Sequence, residues 1–368
     1  MTPKVYFTDF CTGNSESLPQ KLSRLILSAG IDQIDFQGKF VAIKIHFGEL
    51  GNMAHLRSGY ARVLVDIIKD LGGKPFLTDC NTLYVGSRKN ALDHIDTAYL
   101  NGFTPYSTGC HVLIADGLKG TDDVAVPVAG GEYVKEVKIG RAIMDADIVI
   151  SLNHFKGHEE AGFGGALKNL GMGCGSRDGK KEMHDDCRPV VDGDKCIACG
   201  ACARICAHDA PHLTEEGVMA MDWDKCAGCG QCMDACPVKA ISADNHDAAL
   251  LLNYKIAEYA KAVVDGRPHF HISLVRDVSP YCDCHGYNDV PIVPDVGMFA
   301  SFDPVALDLA CAEAVNAQTP IPNSKLGKLE KNGLDNLTAP FPHTAWRSQI
   351  EHGKKIGLGE DHYELISI

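Results

Sequence analysis

Two runs of four cysteines constrain this chain more than any other feature. The first run begins at Cys196 with CIACGACARIC and the second begins at Cys226 with CAGCGQCMDAC, and both have the spacing C-x2-C-x2-C-x3-C. In two-cluster proteins with this spacing, three cysteines of one run and the last cysteine of the other hold each [4Fe–4S] cube. The spacing therefore predicts one cluster on Cys196, Cys199, Cys202 and Cys236, and a second on Cys226, Cys229, Cys232 and Cys206.

These runs resemble the two-cluster ferredoxin module of bacteria over residues 190–245. Pro237 follows the second run as in that module, whereas Ala207 stands where the first run would carry a proline. A proline there only stiffens the chain beyond the ligand, so its absence leaves the ligand assignment intact. The alternative is a pair of structural zinc sites, because C-x2-C pairs also suit tetrahedral zinc. The doubled spacing of eight cysteines favours the iron–sulfur interpretation.

The composition restricts the partners and the compartment. A formal charge of −13 argues against nucleic acid and anionic membranes, whose own negative charge would repel the chain. The longest apolar runs, such as ADIVISL, are too short to span a bilayer, and the first residues do not read as a signal peptide. Sixteen cysteines, half of them assigned to clusters, favour a reducing compartment. We therefore expect a cytoplasmic protein with a redox partner protein, such as another ferredoxin or a flavoprotein.

The residues around the cysteine runs alternate between strand-like and helix-like segments. The predicted strands are KVYFTDF, KFVAIKIHF, KPFLTD, HVLIAD, DIVISL and HFHISLVRDV. The predicted helices are SESLPQKLSRLILSAG, SGYARVLVDIIKDLGG, NALDHIDTAYLNGF, DAALLLNYKIAEYAKAVVDG and DPVALDLACAEAV. This alternation predicts an α/β fold with a mainly parallel sheet and helices on both faces, interrupted by a small two-cluster ferredoxin-like insert. The predicted domains are one body in two parts, 1–189 and 246–368, with the insert at 190–245; the alternative is three independent domains in a row.

Polar residues gather after the predicted strands. In an open parallel sheet, ligands bind beyond the carboxyl ends of the strands, so a site is expected in the loops there. Four predicted strands are each followed by a polar loop, of which the longest runs from Asn153 to His184. On a helix, His154 and His158 would suit a shared metal, but Gly157 argues against a helix at this point. The candidates for proton transfer and catalysis are His46, Glu49, His154, Lys156 and His158.

The segment GFGGALKN predicts a glycine-rich loop that runs into the start of a helix near Ala166. Free backbone N–H groups at such a start, with a lysine nearby, suit a phosphate or a carboxylate. A tight turn packed against the sheet explains the same glycines without any ligand. The candidates for binding a cofactor or a small anionic substrate are Gly164, Gly165, Lys168, Asn169 and Arg177.

The sequence CDCH combines two thiols and an imidazole at Cys282, Cys284 and His285. Such a set can chelate a soft metal, and His184 or Cys187 would be able to complete a third metal centre. Two thiols separated by one residue can instead form a strained, redox-active disulfide. A structural role without special chemistry is the remaining interpretation, and the sequence alone does not choose among the three.

Several of these segments also carry a resemblance that covers nearly the whole chain. IKIHFGELGN, NHFKGHEEAGFGGALKNLGMGCGSRDGK and PDVGMFASFDPVALDLA, together with the cysteine runs, look like the domain-of-unknown-function 362 family. The resemblance implies an α/β body with a [4Fe–4S] ferredoxin module inserted in the same polypeptide. It implies no particular reaction.

Three classes of function fit these observations. The first is an iron–sulfur oxidoreductase in which the two clusters exchange electrons with a small anionic substrate, or with an extra cofactor, in the crevice at the strand ends. The second is a non-enzymatic electron-transfer adaptor whose body only docks partners. The third is a protein of metallocluster or cofactor assembly, in which the clusters are cargo or sensors. A flavin stays open as a further cofactor, although the sequence carries no flavin fingerprint.

Overall fold

The computed structural model describes residues 2–368, and within these residues it forms sixteen strands and twelve α-helices. The strands are β1 (Lys4–Thr8), β2 (Phe40–Lys44), β3 (Lys74–Asp79), β4 (Val112–Ile114), β5 (Asp123–Pro127), β6 (Glu136–Gly140), β7 (Ile148–His154), β8 (Lys156–His158), β9 (Gly162–Gly164), β10 (Pro189–Val191), β11 (Pro211–Leu213), β12 (Met219–Met221), β13 (Ile241–Ala243), β14 (His269–Val275), β15 (Gly297–Ser301) and β16 (Glu364–Ser367). The helices are α1 (Leu18–Ser28), α2 (Ser58–Asp70), α3 (Ala91–Leu100), α4 (Pro105–Thr108), α5 (Arg141–Asp145), α6 (Ala166–Cys174), α7 (Arg177–His184), α8 (Ala201–Ile205), α9 (Gln231–Ala235), α10 (Ala248–Val264), α11 (Pro304–Asn316) and α12 (Arg347–Lys355). No helix within residues 2–368 is both long enough and apolar enough to cross a bilayer.

The body is organised around an eight-stranded sheet with the strand order β16-β1-β15-β14-β7-β2-β3-β4. The pairs β3–β2, β2–β7 and β7–β14 are parallel. Strand β15 runs antiparallel to its two neighbours, β14 and β1. Parallel neighbours require crossover connections, and helices supply them here. The prediction of an α/β fold with a mainly parallel sheet is confirmed.

Side-chain alternation along the central strands divides the body into two cores. On β2, Val41 and Ile43 pack in the core that also holds α1 and α2, while Ala42 faces the core that holds α6, α10 and α11. On β7, Ile148 and Ile150 likewise face the first core and Val149 faces the second. The central strands are therefore buried on both faces and read as continuous apolar runs, as expected for parallel strands between two helical layers.

The cysteine runs lie in a small unit between α7 and α10. Strands β10 and β13 form one antiparallel pair, β11 and β12 form another, and each cysteine run contributes one short helix, α8 or α9. The small core of this unit contains the thiols of Cys202 and Cys236 beside Met219, Ala240 and Ile241. Its His208 ring nitrogen lies 2.9 Å from the Leu83 carbonyl oxygen in the loop after β3, so the unit contacts the body beside the strand ends.

The segment from His154 to His158 is extended, whereas a metal shared by these two histidines would have required a helix. Strand β7 continues to His154, and β8 then pairs with β9 as an antiparallel hairpin, with Lys156 opposite Gly164 and His158 opposite Gly162. His154 and His158 therefore do not lie on consecutive turns of one helix. Helix α6 begins at Ala166, as the sequence predicts.

Candidate functional site

The first set of four cysteines encloses an apolar cradle. Cys196, Cys199, Cys202 and Cys236 line one cavity, and the other side chains around it are apolar ones such as Val191, Ile197, Met219, Val238 and Ile241. Backbone N–H groups point at two of the sulfurs, from Met219 to Cys196 Sγ at 3.5 Å and from Ala240 to Cys236 Sγ at 3.2 Å. Four thiols around an apolar space, with N–H donors to sulfur, are the donor set that an iron–sulfur cube requires.

The second set has the same features. Backbone N–H groups lie 3.4 Å from Cys226 Sγ and 3.4 Å from Cys206 Sγ. Burial, reinforced by the neighbouring thiols of Cys229, Cys226 and Cys206, raises the pKa of Cys232 to about 12. No disulfide forms within residues 2–368, and all sixteen cysteines are free. Both sets therefore fit iron–sulfur binding, and Cys236 of the second run lines one cavity with the first three cysteines of the first run.

A polar crevice of about 60 Å³ lies at the carboxyl ends of the central strands. The predicted site residues that line this crevice are His46, His154, Lys156, Gly164, Gly165, Lys168 and Asn169. Other polar residues also line it, among them Asp79, Tyr84, Arg88, Lys180, Cys282 and Cys284. Three predicted residues lie elsewhere: His158 on an adjoining cavity, Glu49 in an ion pair with Arg88, and Arg177 at the start of α7. The crevice therefore lies at the strand ends, where the sequence predicts a site, but several residues that line it were not predicted.

Buried ion pairs form the floor of the crevice. Lys44 Nζ lies 2.9 Å from Asp79 Oδ1, and Arg88 Nη1 lies 3.6 Å from Asp79 Oδ2. Burial alone would raise the pKa of Asp79, but the Lys44 ammonium and His94 outweigh burial and hold that pKa well below its ordinary value. The sequence analysis missed Lys44 and Arg88. The signal for Lys44 was present, because a lysine inside the apolar strand FVAIK has to be buried and paired.

Glu49 is an ion-pair partner and does not face the crevice. Arg88 Nε donates to Glu49 Oε2 at 3.0 Å, and the Ser87 backbone N–H donates to Glu49 Oε1 at 2.6 Å. Burial alone would raise the pKa of Glu49, but Arg88 and Ser87 lower it by more, so the net shift of this pKa is downward. Arg88 and Ser87 therefore occupy the Glu49 carboxylate away from the crevice, and proton transfer by Glu49 stays a prediction.

His46 and His154 are each held through both ring nitrogens. The Gly48 N–H donates to His46 Nδ1 at 3.0 Å, and Arg88 Nη1 lies 3.1 Å from His46 Nε2. Burial, followed by repulsion from Arg88, holds the pKa of His46 well below its ordinary value. His154 uses both ring nitrogens: Nδ1 donates to Asp283 Oδ2 at 2.8 Å, and Nε2 donates to the Arg276 carbonyl oxygen at 2.8 Å. These contacts hold His154 against Asp283, and a role of His154 in moving protons stays a prediction.

The glycine-rich loop already holds an anion that belongs to the protein. The N–H groups of Ala166 and Leu167 donate to the two carboxylate oxygens of Asp308, at 2.7 and 2.8 Å. A Cβ at Gly165 would collide with the same carboxylate, which explains the glycine there. The prediction that these N–H groups bind an external anion is wrong, because Asp308, on α11, occupies them. Burial raises the pKa of Asp308 to about 7.

The other predicted anion-binding residues divide between structure and site. Asn169 is satisfied internally, since its amide donates to the Lys44 carbonyl oxygen at 3.1 Å and accepts from Lys44 Nζ at 2.6 Å. The Arg177 backbone N–H donates to the Gly120 carbonyl oxygen, and the residue lines neither the crevice nor the adjoining cavity. Lys168 lines both, and so it is the member of this group that faces a ligand space.

The two thiols of the CDCH segment lie beside His158 and Lys168. The Cys284 backbone N–H donates to Cys282 Sγ at 3.4 Å, and Lys168 Nζ lies 3.7 Å from the same sulfur. A hydrogen bond from the Cys284 thiol holds the pKa of Cys282 well below its ordinary value, although burial alone would raise it. Lys168 and His158 lower this pKa as well. Cys282 is therefore a thiolate at neutral pH.

The histidine beside both thiols is not the one that the sequence predicted. One ligand atom each from His158, Cys282 and Cys284 lies within 4.8 Å of the others, whereas His285 groups with Glu159 and Cys284. His285 Nε2 lies 2.6 Å from Glu159 Oε1. Burial alone would lower the pKa of His285, but the hydrogen bond to Glu159 outweighs burial and raises this pKa to about 8. The three-residue metal set of Cys282, Cys284 and His285 is thus corrected: His158, on β8, takes the place of His285.

The cysteine-rich unit and the body share a second cavity, of about 70 Å³. Cys229 and Asp234 of the cysteine-rich unit line it together with Lys168, Cys284 and His285 of the body. A larger cavity of about 490 Å³ opens next to it, and Glu159, Glu160, His184, Asp234 and Leu252 line both. A cysteine of the second set and a thiol of the CDCH segment therefore border the same space.

Comparisons with known proteins agree with the cysteine geometry. A segment of 55 residues, 15% of this chain, is 47% identical to a ferredoxin from Pyrobaculum islandicum and covers 51% of that ferredoxin. The resemblance to a ferredoxin module is confirmed, and this likeness together with the two thiol sets supports iron–sulfur binding. The chain spans about half the length of that relative.

Two solved structures resemble the chain at low similarity. A protein from Thermotoga maritima aligns with a TM-score of 0.41 and 13% identity over 83% of this chain and 58% of its own. The lactate racemase apoprotein from Thermoanaerobacterium thermosaccharolyticum aligns with a TM-score of 0.35 and 9% identity over 75% of this chain and 51% of its own.

A family model described as a domain of unknown function, DUF362, matches residues 41–313. The chain belongs to the DUF362 family.

Proposed function

We propose that this protein is an iron–sulfur oxidoreductase in which two [4Fe–4S] clusters exchange electrons with a small anionic substrate bound at the crevice. Cys196, Cys199, Cys202 and Cys236 would hold one cluster, and Cys226, Cys229, Cys232 and Cys206 would hold the other. The observation that carries the proposal is the shared cavity: Cys229 borders the same space as Cys284 and Lys168. A docking adaptor has no need for buried, ionisable side chains at that point.

The charges that line the crevice favour an anion. Lys168 Nζ has a sulfur of Cys282, and not a carboxylate, as its hydrogen-bond acceptor, at 3.7 Å. Burial lowers the pKa of Lys168, but the nearby thiols raise it more, so the ammonium stays charged. Lys156 Nζ lies 3.4 Å from Asp283 and faces the crevice from the other side. Four cationic side chains line the crevice against the single carboxylate of Asp79, which suits a bound carboxylate or oxyanion.

Proton transfer is the second requirement of such a reaction. One-electron carriers supply no protons, so the protein has to deliver them to a substrate that is being reduced. His46 offers a neutral imidazole at the crevice, and Lys156 offers a buried ammonium. We assign proton transfer to these two side chains and substrate binding to Lys168.

The proposal also covers organisation and setting. We propose that residues 190–245 form the electron-transfer module and that residues 1–189 and 246–368 form the body that carries the crevice. Sixteen free thiols and two oxygen-sensitive clusters fit a reducing cytoplasm. A redox partner protein, for example another ferredoxin or a flavoprotein, would exchange electrons with the module.

The test of the proposal is cluster reoxidation by a small anion. Anaerobically reduced protein is mixed with nitrite or sulfite, two small reducible oxyanions, and the return of cluster absorbance is followed against anion concentration. We expect saturable reoxidation, weakened about tenfold or more in Lys168→Met, because losing a hydrogen bond to a charged group costs about 1.5–3 kcal/mol. Lys195→Met is the matched control, since Lys195 is an exposed lysine paired with Asp192 in the module. Unsaturable reoxidation that is equal in both variants would favour the adaptor.

A further inference from the structure

Cys282 and Cys284 are surrounded by hydrogen-bond donors rather than by a complete set of metal ligands. Cys282 is buried, with 1% of its surface exposed. Its sulfur accepts from the Cys284 backbone N–H at 3.4 Å and from Lys168 Nζ at 3.7 Å. His158 and the thiol of Cys284 lie within 4.8 Å of it. Cationic and N–H donors around one buried sulfur stabilise a thiolate.

The orientation of His158 argues against a metal at this place. A histidine that binds a metal usually donates its other ring N–H to an oxygen acceptor. His158 does the reverse: its Nδ1 accepts from the backbone N–H groups of Glu160 and Ala161, both at 3.1 Å. The ring proton therefore sits on Nε2, the nitrogen that a metal would need. The Lys168 ammonium, 3.7 Å from Cys282 Sγ, would in addition repel a bound cation.

We propose that Cys282 and Cys284 form a redox-active dithiol that cycles between one thiolate plus one thiol and an intramolecular disulfide. In the reducing direction, the S–S bond takes up two electrons and one proton: Cys282 leaves as the thiolate and Cys284 becomes the thiol. The electrons come from the two clusters of the proposed function, one from each, so the inference rests on that function. In the oxidising direction the same bond forms, and the two electrons and the proton pass to the anionic substrate of the proposed function.

The surroundings supply both the path and the proton. Cys229 and Cys284 border one cavity, so the dithiol lies between the module and the crevice. Tyr84 lines the crevice together with both cysteines, and its hydroxyl can supply a proton there. A disulfide between residues two apart in sequence is strained, and strained disulfides are reduced more easily than relaxed ones. The dithiol thereby converts two single-electron steps into one two-electron step at the substrate.

A reductive titration with a parallel thiol assay tests this inference. The holoprotein is oxidised with thionine under argon, titrated with dithionite and followed by EPR, while samples are alkylated and the peptide that contains both cysteines is weighed. In the wild type we expect two electrons to enter before the cluster signals reach full size. Over the same range of added dithionite, the peptide should change from an unalkylated form that is lighter by two hydrogens to a doubly alkylated form. Cys284→Ser should take up two electrons fewer. Cys110→Ser, a buried cysteine outside the site, is the control and should behave like the wild type.

The outcomes separate this inference from the proposed function. Equal electron uptake in the wild type and Cys284→Ser, with both thiols alkylated after oxidation, would overturn the dithiol. One bound transition-metal ion per chain that Cys282→Ala loses would overturn it in favour of a metal site. A disulfide that dithiothreitol reduces, but that persists in holoprotein whose clusters are both reduced, would leave the dithiol standing while the proposed electron source fails.

Discussion

Replacing Cys229 with serine is expected to remove about four irons per chain and to abolish the saturable reoxidation of the remaining cluster by nitrite or sulfite. Cys229 is one of the four thiols of the second set, and a cube that loses a cysteine ligand is usually lost as a whole. It is also the thiol of that set that borders the cavity of Lys168 and Cys284. The measurements are iron analysis and the concentration dependence of anaerobic reoxidation.

The matched variant is Cys199→Ser, in the first set. Cys199 is exposed and lies in the cradle that does not border the shared cavity. This variant should also lose about four irons. The cluster that stays is then the one beside the crevice, and saturable reoxidation should persist. If Cys229→Ser keeps that response and Cys199→Ser loses it, the assignment of the nearer cluster is wrong.

Replacing Lys44 with methionine is expected to reduce the free energy of unfolding by about 3–5 kcal/mol, because it leaves a buried carboxylate without its nearest cation. Lys44 is fully buried, and its Nζ lies 2.9 Å from Asp79 and 2.6 Å from the Asn169 amide oxygen. Methionine keeps most of the volume of the side chain, so the lost charge dominates the effect. Chemical denaturation of the anaerobic protein measures the change.

The control for this prediction is Lys138→Met, which removes an exposed ion pair of the same body. Lys138 Nζ lies 3.4 Å from Asp178, and both side chains are about half exposed or more. Water and salt screen such a pair, so the expected change is about 0–1 kcal/mol. Equal losses in the two variants would show that the Lys44–Asp79 pair does not behave as a buried one.

The parts of the molecule that depend on local spacing were predictable from the sequence. The cysteine runs indicate their ligand sets because a cube needs four thiols that only a fixed spacing can bring together. Strands β2 and β3 and helices α2 and α10 fall within segments that their apolar periodicity predicts, whereas β7 and α11 extend beyond theirs by two residues and one residue. The crevice was also predictable in outline, because the loops after parallel strands meet at one edge.

The parts that depend on distant partners were not predictable. Asp308 occupies the N–H groups of α6 from 142 residues away along the chain, so the glycine-rich loop looked free in the sequence. His158 stands next to Cys282 and Cys284 because a hairpin of β8 and β9 turns it there, whereas His285 is adjacent only in sequence. Strand β15 runs against its neighbours, and no local signal distinguished its direction.

The most direct test of the central claim is iron analysis with EPR of the dithionite-reduced protein after anaerobic reconstitution. The account predicts about eight irons per chain, signals from two interacting [4Fe–4S] cubes, and a change in one of them when Lys168 is replaced by methionine. Four irons or fewer after careful reconstitution, or tetrahedral zinc in the two thiol sets, would contradict it.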